Sequence, residues 1–299
     1  MDPVDLRILG ALDRDARKSF TRIASDLGIS SRLVQRRVTS MIKSGFIRDF
    51  SVEFDMFLLG LGEAVCDAYL QAGASVEEVR NNLLKISTVS RIITLIGGTL
   101  VIHITYQDRT ELEQTLAQIA STHGVDDIRY EVAPQSRAAH VRLSRSDWQI
   151  IRALDHQARQ EFASIAETVK LSSKTVKRRV EWLMKEGAIN VGVDVDVSKA
   201  RDLFLYILVI QLTRAASKDA VLRASRKRIA TIWRELRSIN PFSITLSLYA
   251  ENMGSLERDV EVARRIEGVT GVSVAFITAE QRNDLRLDAS IAQVATTRG

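Results

Sequence analysis

Apolar positions recur at spacings of three and four in two well-separated windows of the chain. In the first, Ile8, Leu9 and Leu12 form one stripe and Val34, Val38 and Met41 another; in the second, Ile150, Ile151 and Leu154 are followed by Val176, Val180 and Leu183. That period predicts helices with one buried face. Capping residues fix their starts. Ser144 and Asp147 make an S-x-x-D capping box, and Asp2 and Asp5 hold the same offsets, with Pro3 where a first helical residue needs no N–H. These first helices are expected to end near Ala16 and Ala158. A short helix over about 20–27 stops at Gly28, a residue suited to the left-handed position past a helix end; Lys170 takes that place in the second window and weakens the cap. After a turn of about three residues, Ser30 and Ser172 cap a third helix that runs to Gly45 and Gly187. Two helices joined by so short a turn make a helix-turn-helix. Beyond Gly45 the period changes to alternation, from Phe46 to Phe54, and Ala188 to Val195 behaves similarly. A wing, or a strand leading out, is expected there.

The two windows are copies. Residues 5–48 align without a gap onto 147–190, and nineteen of the 44 positions are identical, among them Asp5/Asp147, Arg17/Arg159, Phe20/Phe162, Ser30/Ser172, Val34/Val176, Arg36/Arg178, Arg37/Arg179 and Gly45/Gly187. Such self-similarity marks a duplicated structural unit.

Each copy is followed by a different pattern. From Gly62 the order reads strand (63–70), helix (75–85), strand (89–96), Gly97-Gly98 turn, strand (100–106), helix (110–122) and strand (127–133). The last part repeats it as 204–213, 218–230, 232–239, a turn at Asn240-Pro241, 242–250, 254–267 and 272–279, with Gly124-Val125 and Gly271-Val272 at the same place, before the fourth strand. The βαββαβ order predicts a ferredoxin-like sandwich. The fold class is therefore α+β, two winged helix-turn-helix domains alternating with two ferredoxin-like domains. Expected boundaries are 1–55, 60–135, 142–196 and 202–283, with 134–143 as the linker between halves.

Composition adds limits. At 45% hydrophobic and 26% charged with three prolines, the chain has the profile of ordinary globular domains. One cysteine, Cys66, excludes an intrachain disulfide and suits a strand interior. The longest apolar run, Leu203 to Leu212, is about half of a membrane span and reads as a buried strand. No charged start followed by an apolar run marks a signal peptide, so the expected location is the cytoplasm, with no membrane partner. The net charge of +5 favours a polyanionic partner without deciding the matter.

The third helices carry the chemistry. Opposite their apolar stripe stand Ser31, Arg32, Gln35, Arg36 and Thr39 in the first copy, and Ser173, Lys174, Lys177 and Arg178 in the second. Arginine offers a planar fork to guanine, glutamine can pair with adenine, and serines with helix N-terminal amides can bind phosphate. A basic run alone reads as a solvated face. Its recurrence as S-S-x-x-V-x-R-R-V on the corresponding helix favours double-stranded DNA, with Ser30, Ser31, Arg32, Gln35, Arg36 and Arg37, and Ser172, Ser173, Lys174, Lys177, Arg178 and Arg179, as the binding set. Arg37 and Arg179 lie nearer the buried edge, and an internal ion pair is an equal reading for them. Arg223, Arg226, Lys227 and Arg228 could touch phosphates, although a solvated helix face explains them more simply.

This combination resembles the Lrp/AsnC (leucine-responsive, feast/famine) transcription factors: S-x-x-V-x-R-R-V followed by G-x-I, joined to a βαββαβ domain with G-V before its last strand. The resemblance covers nearly the whole chain twice, as if two members with ligand-binding (RAM-type) domains were fused in tandem. It implies a non-enzymatic, DNA-binding transcriptional regulator, a homo-oligomer beyond the fused pair, and an amino-acid-like effector at the turn after the second strand of each α+β domain. That places Gly97, Gly98 and Thr99, and Asn240, Phe242 and Ser243, as effector residues. The family turn reads G-x-x-D, and here both copies lack the acid, which leaves open a different ligand or none. His103, His123, His140 and His156 share no ligand spacing, so no metal or other cofactor is expected. The rival from another class is an enzyme of the same architecture, a sirohaem decarboxylase, which uses histidine- and arginine-rich segments that this chain lacks.

Overall fold

The computed structural model describes residues 1–134, 141–154, 158–200, 203–236 and 240–283. His140, His156, most of the expected linker and the last three residues of the strand expected over 232–239 lie outside the described residues. The chain forms two compact units, and neither is a continuous half: the first combines 1–14, 18–48 and 195–279, the second 15–17, 49–194 and 280–299.

In the first unit the amino-terminal helices are α1 (Pro3–Arg14), α2 (Phe20–Leu27) and α3 (Ser31–Lys43). The Ser19 hydroxyl accepts from the Arg22 N–H at 3.2 Å to start α2, and Gly28 at φ 68° ends it. With them stands the second α+β set, β7 (Phe204–Leu212), α9 (Lys218–Arg228), β8 (Ile232–Leu236), β9 (Ser243–Ala250), α10 (Met253–Arg264) and β10 (Val269–Arg282). The strands run antiparallel in the order β10-β7-β9-β8. Tyr206, Leu208, Ile210, Ile244, Leu246 and Leu248 fill the core beneath the helices. The run read as a buried strand is β7.

Helix α1 lies against β8. A side chain at position 10 would put its first carbon 2.8 Å from the Trp233 carbonyl oxygen, so Gly10 is what lets the helix backbone approach the strand. Beside it the Arg234 guanidinium donates to the Asp13 carboxylate at 2.5 and 2.6 Å, with both side chains about nine-tenths buried. Helix α1 also covers an outer strand whose edge would otherwise offer unpaired backbone groups.

In the second unit, β1 (Ile47–Phe54) and β6 (Ile189–Val195) pair with each other as a two-stranded ribbon. The alternation beyond each third helix is thus a strand whose partner is the equivalent strand of the other copy. A ferredoxin-like sheet in the order β5-β2-β4-β3 follows, from β2 (Gly62–Leu70), α4 (Val76–Leu83), β3 (Val89–Leu95), β4 (Leu100–Tyr106), α5 (Arg109–Ala120) and β5 (Val125–Val132). Ala64, Cys66 and Ala68 alternate inward onto Val79, Leu83 and Ile119. Burial, with Asp67 beside it, pushes the Cys66 thiol up to about 12, which leaves it an inert filler. Helices α6 (Arg145–Leu154), α7 (Phe162–Val169) and α8 (Ser173–Lys185) complete the unit.

Two arginines lock the turns that follow the first helices. Arg17 donates to the carbonyls of Ala158 and Gln160 at 2.5 and 2.7 Å and stacks over Phe162, 4.0 Å from the ring centre. Arg159 returns the contact to the Ala16 carbonyl and lies over Phe50. The Ala16 and Ala158 N–H groups bond the ribbon at Val191 and Phe50.

The structure corrects several boundaries. Helix α1 ends at Arg14, two residues before Ala16, because Ala16 is drawn into these turn contacts; where the helix that begins at Arg145 ends lies outside the described residues. β10, expected over 272–279, runs from Val269 to Arg282; within the second unit its last residues are held by the Asn283 N–H to the Ser90 carbonyl at 2.8 Å.

Lys170 adopts φ 54°, alone in positive φ among the described non-glycine residues, and α7 has no side-chain cap at Glu161. Left-handed backbone costs a residue with a Cβ roughly 1–2 kcal/mol. Lys170→Gly should therefore raise stability by about 1 kcal/mol in urea unfolding. Gly10→Val should lower it by about 1–3 kcal/mol through overpacking against β8; unchanged stability would show that α1 does not press on Trp233.

Candidate nucleic-acid interface

The third helices α3 and α8 are built alike. The Ser30 hydroxyl accepts from the Leu33 N–H at 3.2 Å, and the Ser172 hydroxyl from the Thr175 N–H at 3.1 Å, so each helix starts with one orphan amide satisfied. Val34, Val38 and Met41, and Val176, Val180 and Leu183, are buried. The residues expected on the opposite face are all exposed: Ser30, Ser31, Arg32, Gln35, Arg36 and Thr39 on one helix, Ser172, Ser173, Lys174, Lys177 and Arg178 on the other. Each head thus gathers its set on one face. The positive helix N-terminus adds its partial charge to the side chains nearest the cap.

Arg37 and Arg179 do not join that face. Arg37 reaches Asp2 at 2.7 Å and Asp5 at 3.4 Å. Arg179 donates its Nε to Asp147 at 2.7 Å, closes a second bond to the same carboxylate, touches the Ser144 hydroxyl and lies over the Trp182 ring. Asp147 is fully buried and Asp5 nearly so. A buried carboxylate needs a fixed cation, and these arginines supply it, the internal role that was the alternative reading for them. Burial acts to raise the Asp2 carboxyl, but the Asp5 backbone N–H and Arg37 outweigh it and hold it below the ordinary range.

The heads differ in their outward charge. α3 carries no acid, whereas in α8 Glu181 is exposed and sits 3.9 Å from Lys177. The i, i+4 spacing of Lys177 and Glu181 was the available signal for this pair, and the motif reading passed over it.

The effector turns are also unlike. Gly97 and Gly98 both have positive φ, near 87° and 89°, and Leu95 bonds across the turn to Thr99. In the other half the Asn240 side chain accepts from the Phe242 N–H at 2.8 Å, Ser243 bonds back to Asn240, and Phe242 is 44% exposed. Arg223, Arg226, Lys227 and Arg228 are exposed on α9, where Arg226 pairs with Glu235 at 2.6 Å. Among the described residues no cluster of three histidines, cysteines or acids could hold a metal ion, and no helix is long and apolar enough to cross a membrane.

Comparison with known proteins agrees with this geometry. Residues 1–48 match the winged helix-turn-helix DNA-binding model, and residues 143–184 the AsnC-type helix-turn-helix domain. An HTH-type transcriptional regulator of Mycobacterium tuberculosis is 30% identical over 128 residues, 42% of this chain and 86% of that protein. The HTH-type transcriptional regulator LysM of Saccharolobus solfataricus is 25% identical over 128 residues, 42% of this chain and 87% of that protein. Among solved structures, the siroheme decarboxylase NirDL is similar over 97% of this chain and 98% of that one, with a TM-score of 0.51 at 15% identity, a likeness of fold.

Adjacent arginines should separate in unfolding experiments. Arg179→Ala strands a buried carboxylate and should cost about 3 kcal/mol, and Arg37→Ala about 1–2 kcal/mol because Asp2 is partly exposed. Arg178→Ala and Arg36→Ala should stay within about 0.5 kcal/mol of the parent. Equal losses at positions 178 and 179 would remove the distinction between an exposed residue and a locking one.

Proposed function

Because the chain belongs to the Lrp/AsnC family of helix-turn-helix transcriptional regulators, we propose that it is a tandem fused pair of such regulators that reads DNA with both α3 and α8. The observation that carries the reading is the shared division of labour on those helices: one arginine locked to a buried carboxylate, its neighbour exposed beside a capped helix start. In this reading Arg36 and Arg178 pair with base edges, Gln35 and Lys177 read the adjacent step, and Ser30, Ser31, Ser172 and Ser173 with the helix amides hold phosphates. Arg32 and Lys174 add backbone contacts. Arg37 and Arg179 fix the rotation of the helix.

Two heads in one chain need not prefer the same half-site. Gln35 faces Lys177, Leu33 faces Thr175 and Thr39 faces Glu181 across the alignment, so the operator is asymmetric. The α+β domains supply assembly and an effector site. Their turns present no carboxylate for an ammonium group, which favours an effector held through other groups.

The chain is not an enzyme in this reading. Its likeness to NirDL at 15% identity extends to the architecture alone. Visible absorbance of the purified protein, or binding of added sirohaem, would favour the decarboxylase reading instead.

In vitro site selection at two salt concentrations tests the regulator. Arg36→Ala and Arg178→Ala should each weaken specific binding by about 1–3 kcal/mol and relax one position of one half-site. Loss of a phosphate contact would instead lower the salt slope by about 1. Unaltered specificity in both variants would sink the assignment, and a perfectly palindromic selected site would overturn the asymmetric operator.

A further inference from the structure

β5 is an outer strand. β2 pairs with one of its edges, and among the described residues no strand pairs with the other. Soluble proteins guard such edges with charged side chains, lysine above all, with proline or with a bulge. From Ile128 to Val132 this strand has no lysine, proline or bulge, and its two charges, Arg129 and Glu131, are of opposite sign; its register shift lies at the far end, where Leu70 pairs with Val125. It instead exposes Tyr130 at 52% and Val132 at 47%, large apolar side chains left open to solvent.

Pairing with β2 fixes which residues share a face. Ile128, Tyr130 and Val132 stand opposite Ala68, Cys66 and Ala64, and Arg129 and Glu131 opposite Asp67 and Val65. One face of the edge is therefore apolar and the other charged. Arg129 is three-quarters exposed, touches Asp127 only at 3.8 Å and lies over the Tyr69 ring.

The strand is complementary to itself. Laid antiparallel on a second copy about Tyr130, Ile128 meets Val132 twice, Arg129 meets Glu131 twice, and Tyr130 meets Tyr130. Every pair is favourable by cross-strand rules. Neighbouring registers lose this: centring on Arg129 sets Arg129 against Arg129 and Asp127 against Glu131, and centring on Ile128 sets Val125 against Glu131 and Asp126 against Tyr130. We propose that β5 is a homotypic docking edge, through which two copies of this chain join their sheets about a two-fold axis at Tyr130. An isologous contact of this kind closes after two copies and does not propagate into fibres. The proposal is independent of the DNA reading, because its signal is mass.

Sedimentation equilibrium of the full chain over a wide concentration range provides the test. The parent should associate reversibly, and Arg129→Glu should halve the mass at concentrations where the parent is paired, weakening association about tenfold or more. Arg129→Glu with Glu131→Arg should restore it, because exchanged charges still meet as opposites in this register. Tyr130→Cys should give disulfide-linked dimers under mild oxidation, since the native thiol is buried, and it keeps the question answerable if the charge variants misfold. A chain that stays single at all concentrations, an association indifferent to Arg129→Glu, or a double variant as weak as the single one would overturn the proposal.

Discussion

The helix-turn-helix units depend on one electrostatic constraint: a carboxylate buried at the start of the first helix must be neutralised from the third. Asp147 has no exposure to water, and Asp5 has little. Removing such a group from solvent is tolerable only with a fixed, hydrogen-bonded cation. Arg179 and Arg37 provide it from the third helices, and each thereby fixes the angle at which its helix faces outward. The following consequence is geometric. Neighbouring helical residues are turned by about 100° from one another, so anchoring one arginine inward directs the preceding one toward solvent. The same carboxylates bond the backbone at the helix start, which joins cap, lock and presentation in one residue.

Much of this was legible in the sequence because it is local. Helix starts are written in Ser30, Ser172 and the Ser144/Asp147 box, and buried faces in the spacing of Val34, Val38 and Met41; β4 begins and ends where alternation placed it, at Leu100 and Tyr106. What escaped is long-range. Nothing near Gly10 announces that it marks a strand more than two hundred positions away, and in isolation a mid-helix glycine reads as a weak point. Arg17 and Arg159 were visible as identities of the repeat, but their partners, carbonyl groups of a distant turn, have no residue type to recognise. β10 outran its expected end because its last residues are held by a partner outside the local pattern.

The duplication has been put to unequal use. Asp13, Gly10, Trp233 and Arg234 tie the first head to an α+β sheet through a close helix and strand contact. The second copy has Arg152 where the first has Gly10, and a side chain of that size excludes the same approach. A structural change in the sheet containing β8 therefore has a direct mechanical route to α1, and from there to α3. The acid on α8 adds a chemical difference, since Glu181 repels the backbone of any polyanion close to it. The two helix-turn-helix units share a scaffold and differ in the charge of the third helix and in the contact that Gly10 permits.

The composition of the first compact unit also bears on how the chain comes into being. Residues 1–14 and 18–48 are synthesised well before the strands of their own unit, which lie between 195 and 279. At ordinary rates of synthesis roughly 10–45 s pass before the edge that receives α1 exists. For that interval the apolar and glycine-lined flank of the first helix has no native surface to cover, while the second unit can assemble most of its parts in order. Nascent chains would expose this flank to chaperones, and a chain released early would retain it uncovered.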